Sequence, residues 1–224
     1  MKLCIIGAFG FDMLEKTTGG QPVKTRQLYY TLCDYYGKEN ISFIETYGWK
    51  SAPYKMLKSV LAAAKNHDAM IMLPAHRGLQ VFARLLTYCK KRYGLKIFYD
   101  VIGGWLPEKT QASRTLRKHL MRFDAIWVET QNMKSALSEQ SFSNVTTIPN
   151  FRKMQILTED ELTKPLGYPL RMCTFSRVMR EKGIETVADS IARINARLGY
   201  TAITLDIYGP VDPEIGRASC RERV

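Results

Sequence analysis

The feature that most constrains this 224-residue chain is an alternation of short apolar runs with helix-length segments, repeated from its first residues to about residue 208. Residues 3–7, 41–44, 69–73, 95–101, 124–128 and 145–148 read as strands. Between them, helix signals begin near Pro22, with Leu28, Leu32 and Tyr35 marking one face, and recur over 54–64 and 79–89. The segment 79–89 carries Val81, Phe82, Leu85 and Leu86 at helical spacing. A basic helical region follows at 112–121, and a short helix at 131–139. Strands and helices alternating at this length predict an α/β fold, with a parallel sheet covered on both faces.

The pattern pauses once. Pro149-Asn150-Phe151 is a break, and residues 153–169 are polar with two prolines. We place a linker at 151–169, after a Rossmann-like domain at 1–150. Strand, helix and strand then resume at 171–175, 184–198 and 203–208. Ile184, Val187, Ile191, Ile194 and Leu198 fall at spacings of three or four, a stripe made to pack on a sheet. Two strands do not cover both faces of such a layer, so 170–216 reads as the truncated start of a second domain. Residues 217–224 have no periodic pattern and read as a non-native tail, with a genuine basic tail as the alternative.

Charge narrows the partners. The chain carries 33 Lys and Arg against 21 Asp and Glu, a formal +12. Such a balance favours an anionic partner: a phosphorylated substrate, an acidic membrane surface or nucleic acid. A basic but ordinary surface is the bland alternative. Nucleic acid fits poorly, because the aromatics are interleaved in strands and apolar helical faces instead of lying along a basic track. Five scattered cysteines without a Cys-x-x-Cys pair, and three isolated histidines, argue against structural zinc. Cys4 and Cys173, in apolar surroundings, read as small core residues of a reducing compartment. No apolar run approaches membrane-spanning length, so membrane association would be peripheral.

Several positions could carry chemistry. Gly7 and Gly10 follow the first strand, but the third glycine of a dinucleotide fingerprint is missing, and so is a Walker-type loop. Gly19 and Gly20 leave amides open at a helix start, where an anionic group could approach, or else form a plain turn. Asp100 precedes Gly103-Gly104-Trp105 at the end of a strand and could serve as a polar anchor or a base. His76 holds the equivalent position after the third strand and suits proton exchange or a bond to a sugar hydroxyl, or is simply a surface histidine. His67 and His119 lie in basic helical segments and carry less. Glu129 ends the fifth strand, and Thr130 is set to cap the helix that opens at Gln131. Lys109, Arg114, Arg117, Lys118 and Arg122 surround a helix compatible with a membrane-facing surface or with a solvated charged face. Arg177 and Lys182 flank a turn between strand and helix. There, fixed cations would stabilise the charge growing on a diphosphate leaving group.

The segment Phe175-Ser-Arg177-Val-Met-Arg-Glu181-Lys182-Gly183-Ile184 resembles the Gly-Arg-Leu…Glu-Lys-Gly stretch of GT-B glycosyltransferases, the large retaining family 4 group. Ile207-Tyr208-Gly209-Pro210 is similar to that family's next strand, Gly19-Gly20 to its glycine loop, and Asn150 to its interlobe linker. The resemblance implies an acceptor-side first lobe and a nucleotide-sugar donor, with a UDP-sugar among the candidates. It implies no separate cofactor. Arg177 and Lys182 would then neutralise the donor diphosphate beside Gly19 and Gly20. Asp100 and His76 would serve catalysis, and Gly103, Gly104, Trp105 and Glu129 would meet substrate. Ser176 stands where the family usually has glycine. Gly103-Gly104-Trp105 lacks the family's usual histidine, and the later Glu-x7-Glu segment is not in the sequence.

The expectation is therefore a glycosyltransferase of cell-surface polysaccharide synthesis, cytoplasmic or peripheral at the inner face of the plasma membrane, and inactive in this form. Its partners would be a nucleotide sugar and a saccharide or lipid-linked acceptor. The alternative is a non-catalytic α/β protein that binds a phosphorylated metabolite or nucleic acid.

Overall fold

A computed structural model describes residues 1–13, 20–74, 78–150, 156–161 and 167–209. The expectations placed on Gly19, on His76 and on the tail 217–224 lie outside the described residues. The chain divides into two compact units, Met1–Lys153 and Met154–Val224.

In the first unit, strand β1 (Leu3–Gly7) is buried along its whole length. It is flanked by β2 (Ile41–Glu45) and β3 (Ala69–Met72), and the sheet continues through β4 (Lys96–Asp100), β5 (Ala125–Val128) and β6 (Val145–Thr147). The order is β2-β1-β3-β4-β5-β6, and every pairing is parallel. Alternate residues of each strand feed opposite layers. Cys4, Ile6, Met70, Met72, Ile97, Tyr99, Ile126 and Val128 join the larger core. That layer is completed by α2 (Pro53–Asn66), α3 (Leu79–Tyr93), α4 (Leu106–Ala112), α5 (Arg114–Leu120) and α6 (Gln131–Glu139). Leu3, Ile5, Ala69 and Ile71 face the other way, onto Leu28 and Tyr29 of α1 (Gly20–Tyr36).

Among the described residues, α1 is the one helix on that face. Beyond its reach Phe98 and Trp127 are only half-buried and stack on each other, centroids 5.3 Å apart. Gly7 lets α1 lie close, since a Cβ there would come within 2.7 Å of Thr25 Cγ2. Tyr35, read as part of the buried face of α1, is instead 81% exposed, because the helix outruns the sheet beneath it.

The basic helix expected at 112–121 is α5, and a further short helix, α4, precedes it. Pro107 starts α4, and Ser113, in extended conformation, ends it and accepts the Leu116 N–H as cap of α5. Thr130 caps α6 through the Met133 N–H. His67 bridges Ser42 Oγ at 2.7 Å and the Ala63 carbonyl at 2.8 Å, tying the end of α2 to β2. His119 is held below its usual pKa by burial and by the nearby Arg122 and Arg84.

Asp124, at the start of β5, accepts hydrogen bonds from Lys90 Nζ at 2.6 Å and from the Ile97 N–H at 2.8 Å. Burial would raise its pKa, but these donors outweigh it and hold the carboxyl below the ordinary aspartate range. A depressed carboxylate contributes stability that is complete above its unfolded pKa and is lost as the pH falls through the folded one. Asp124→Asn should therefore cost about 1 kcal/mol at neutral pH and flatten the acid limb of the stability curve below about pH 4. Urea unfolding followed by circular dichroism across that range checks it. An unchanged acid limb would remove Asp124 from the account.

The second unit contains β7 (Leu170–Phe175) and β8 (Ile203–Tyr208), paired in parallel and joined by α7 (Ile184–Leu198). A Cβ on Gly209 would run into the Ser176 carbonyl oxygen, so the chain leaving β8 passes β7 only as glycine. Among the described residues of this unit, one α-helix covers one face of two strands, and the consequence is visible. Cys173, expected in a core, is exposed, whereas Cys4 is fully buried, its thiol pushed up to about 11 by burial. The stripe on α7 is likewise used only in part. Ile184 is buried, but Ile194 and Leu198 are 42% and 51% exposed. The whole is a Rossmann-like parallel sheet followed by a second small parallel sheet, the arrangement of the GT-B type.

Candidate functional site

Parallel open sheets place their ligands beyond the carboxyl ends of the strands, near the point where strand order reverses. Here the order reverses between β1 and β3, and α1 leaves the carboxyl end of β1. A concavity of about 340 Å³ opens on this edge. Gly20, Val23, Lys24 and Gln27 of α1 form one wall. Ile102 and Gly103 after β4, Glu129 after β5 and Asn150 after β6 form the other.

Its polar centre is an ion cluster. Lys24 Nζ lies 2.8 Å from Asp100 Oδ1 and 3.2 Å from Glu129 Oε1, and donates to the Val101 carbonyl at 3.2 Å. The side chains of Lys24, Asp100 and Glu129 are 11%, 8% and 18% exposed. Burial raises the Asp100 pKa; Lys24 opposes that and Glu129 adds to it, leaving the group above its ordinary value. Two carboxylates against one ammonium leave the cluster net acidic when both are ionised. Asp100 is thereby suited to accept a proton or a hydrogen bond from a hydroxyl group.

The cluster is assembled over long range. Asp100 and Glu129 end neighbouring strands, so pairing in register brings them to one edge. Lys24 arrives from α1, whose path is fixed by Gly7 against Thr25 and by Gln21 Nε2 donating to the Leu73 carbonyl at 3.0 Å. Lys24 was not singled out in the sequence. Its one signal is a cation early in a helix, where the helix dipole disfavours positive charge.

Gly20, Gly103 and Glu129 thus line one concavity, and Asp100, outside that lining, is joined to it through its ion pair with Lys24. Gly103 takes a φ of 85° in the turn after β4. Gly104 is exposed, and neither it nor Trp105 lines the concavity. The Trp105 indole donates to the Ile102 carbonyl at 2.8 Å and packs against the larger core.

A second residue absent from the sequence reading is Glu45, at the end of β2. Its carboxylate accepts the N–H groups of Phe9, Gly10 and Tyr47 at 2.7 to 3.1 Å. The turn after β1, where a dinucleotide fold would hold phosphate, is therefore already occupied by an anion of the protein's own.

In the second unit Arg177 and Lys182 are both exposed. Arg177 follows β7, whose extension is held by the Ser176 N–H donating to the Tyr208 carbonyl at 3.1 Å. Lys182 closes a single 3-10 turn, Arg180–Lys182, and Gly183, at φ 67°, then opens α7. Both cations thus sit on the connection from strand to helix, with the α7 N-terminus directly after them. Among the described residues no group of His, Cys, Asp and Glu is placed to hold a metal ion. No helix among them is long and apolar enough to cross a membrane.

No family model matches the chain, and no curated protein matches it. Among solved structures, it is similar to the apo form of the lipopolysaccharide outer core galactosyltransferase WaaB. The TM-score is 0.55 at 11% identity, over 98% of this chain and 71% of that one. A GtfA/B complex matches 75% of this chain and 34% of its own at 19% identity, with a TM-score of 0.43, too low to bear on the fold. The first likeness is one of fold.

Proposed function

We propose that this chain belongs to a glycosyltransferase that moves a sugar from a nucleoside diphosphate to a saccharide or lipid-linked acceptor in polysaccharide synthesis at the inner face of the plasma membrane. The observation that carries the reading is the buried Lys24–Asp100–Glu129 cluster, whose Lys24 and Glu129 line a concavity on the carboxyl edge of a GT-B-type sheet. In such a transfer the bond between the anomeric carbon and the diphosphate breaks, a bond to the acceptor oxygen forms, and the acceptor proton must leave. Asp100, with its raised pKa, is the group we assign to receive or share that proton, with His76 assisting. Lys24 fixes Asp100 in place and favours its ionised form, against the burial that raises its pKa. Gly103 and Glu129 shape the floor for the sugar hydroxyls, and Trp105, bonded to the Ile102 carbonyl, holds the turn that carries Gly103 and Gly104. Retention of anomeric configuration and a UDP-sugar donor are parts of the same proposal.

Arg177 and Lys182 are assigned to the diphosphate. A guanidinium grips two oxygens and an ammonium supplies a point charge, so the leaving group meets opposite charge as its bond breaks. Calorimetric titration with UDP tests this. Arg177→Ala should weaken binding at least about ten-fold, the loss of one charge-assisted contact. Arg114→Ala, on α5, should leave it unchanged. Equal affinity for wild type and Arg177→Ala would remove the diphosphate assignment.

A further inference from the structure

Helices α2 and α3 lie side by side on the larger core and bury Val60, Ala64, Leu79, Phe82, Ala83 and Leu86 beneath them. Each also carries a second apolar stripe that the core uses only in part, since Leu61 and Leu85 are half-buried against its margin while the other members are exposed. On α2 it is Tyr54, Leu57 and Leu61; on α3 it is Val81, Leu85 and Tyr88, at spacings of three and four. Tyr54 is 78% exposed, Val81 50% and Tyr88 56%. The two stripes border an apolar groove of about 370 Å³, lined by Tyr54, Leu57, Val81 and Leu85 and floored by Trp49 and Phe82.

The charge around this groove is of one sign. Between Glu45 and Asp100 the sequence has ten Lys and Arg and one acid, Asp68. Neither α2 nor α3 contains Asp or Glu. Lys55 and Lys58 on α2, and Arg84 on α3, are exposed beside the apolar stripes. A second copy of the chain would bring like charges face to face across a two-fold axis, which disfavours that occupant. An anionic bilayer supplies the opposite sign together with an apolar layer for the exposed rings and aliphatic chains.

We propose that the α2–α3 face docks on an anionic phospholipid bilayer. Tyr54, Leu57, Val81 and Leu85 enter the interfacial layer, and Lys55, Lys58 and Arg84 lie against the headgroups. This surface is centred on α2 and adjoins the basic region on α5 only through Arg84, which lies near His119, and the inference does not depend on the glycosyl-transfer reading.

Co-sedimentation of the full chain with vesicles tests it, comparing pure phosphatidylcholine with a mixture one-third phosphatidylglycerol. Wild type should partition onto the anionic vesicles and little onto the neutral ones, and high salt should release it. Lys55→Glu with Lys58→Glu should weaken partitioning at least about ten-fold. Leu57→Ser with Val81→Ser, both at exposed sites, should weaken it with all cations retained. Arg114→Glu with Lys118→Glu, on α5, should lose clearly less than the α2 pair. Circular dichroism verifies that each variant is folded. The proposal is overturned if wild type ignores anionic vesicles, if both charge reversals act alike, or if the apolar pair has no effect. It is also overturned if size-exclusion chromatography with light scattering shows a dimer that Leu57→Ser dissociates.

Discussion

Lys24→Met should lower the stability of the first unit by about 3–5 kcal/mol at neutral pH, the range for removing one member of a buried ion cluster. For a chain of this size that is roughly 10 °C in melting temperature. The reason is what remains. Asp100 and Glu129 stay largely buried, at 8% and 18% exposed, without the ammonium that sits 2.8 and 3.2 Å from them. Burial already raises the Asp100 pKa with Lys24 present, so its loss must raise it further. A carboxyl with a raised folded pKa binds protons more tightly folded than unfolded. Its stabilising effect is present at low pH and is lost as the pH rises through that pKa. The deficit of Lys24→Met should therefore be largest near neutrality and shrink toward pH 5. Adding Asp100→Asn should recover part of it, and the double-mutant cycle measures the coupling. Differential scanning calorimetry over that range decides the matter. A pH-independent deficit, or none, would show that the three groups are not coupled in the folded protein.

The second large effect belongs to the core. Phe82→Ala should cost about 3–5 kcal/mol, because its ring is 1% exposed and its removal leaves a cavity in the core. It meets the Trp49 ring edge-on, centroids 5.5 Å apart. A Cβ on Gly78 would already stand within 3.2 Å of it. Val81→Ala, one residue earlier, should change stability by less than about 0.5 kcal/mol, since that side chain is half exposed. Urea denaturation of the two variants side by side gives the comparison, and similar losses would contradict the burial described here. The Phe82 substitution also removes the floor of the α2–α3 groove, so the vesicle experiment avoids it and uses exposed positions instead.

Those two neighbours show where sequence reading reaches its limit. Periodicity marks Val81, Phe82, Leu85 and Leu86 equally as apolar, and all four do lie on one broad side of α3. Only packing separates Phe82 and Leu86, which the sheet covers, from Val81, which it leaves open. The same limit appears on α7, where a regular stripe predicts burial that a two-stranded layer is too small to provide. It appears again at Cys173, apolar in its neighbours along the chain yet exposed in space.

The sequence by itself determined the element types and most of their positions: the strand at 3–7, the helices at 131–139 and 184–198 and the strand at 203–208 are found where periodicity and capping residues put them. These features are local, so a window of a few turns contains the information. Capping by Thr130 was legible for that reason, and so was the placement of Asp100, Gly103 and Glu129 at strand ends, because strand ends in a parallel sheet converge on one edge whatever the strand order. Tertiary structure alone decided the order β2-β1-β3-β4-β5-β6, which, among the described residues of the first unit, places α1 on one face and α2 to α6 on the opposite one. It also decided that Lys24 would reach across 105 residues to Glu129, and that Glu45 would fill the turn after β1. Such contacts depend on which strands become neighbours, and that is settled by the packing of the whole layer, a property that no short stretch of the chain contains.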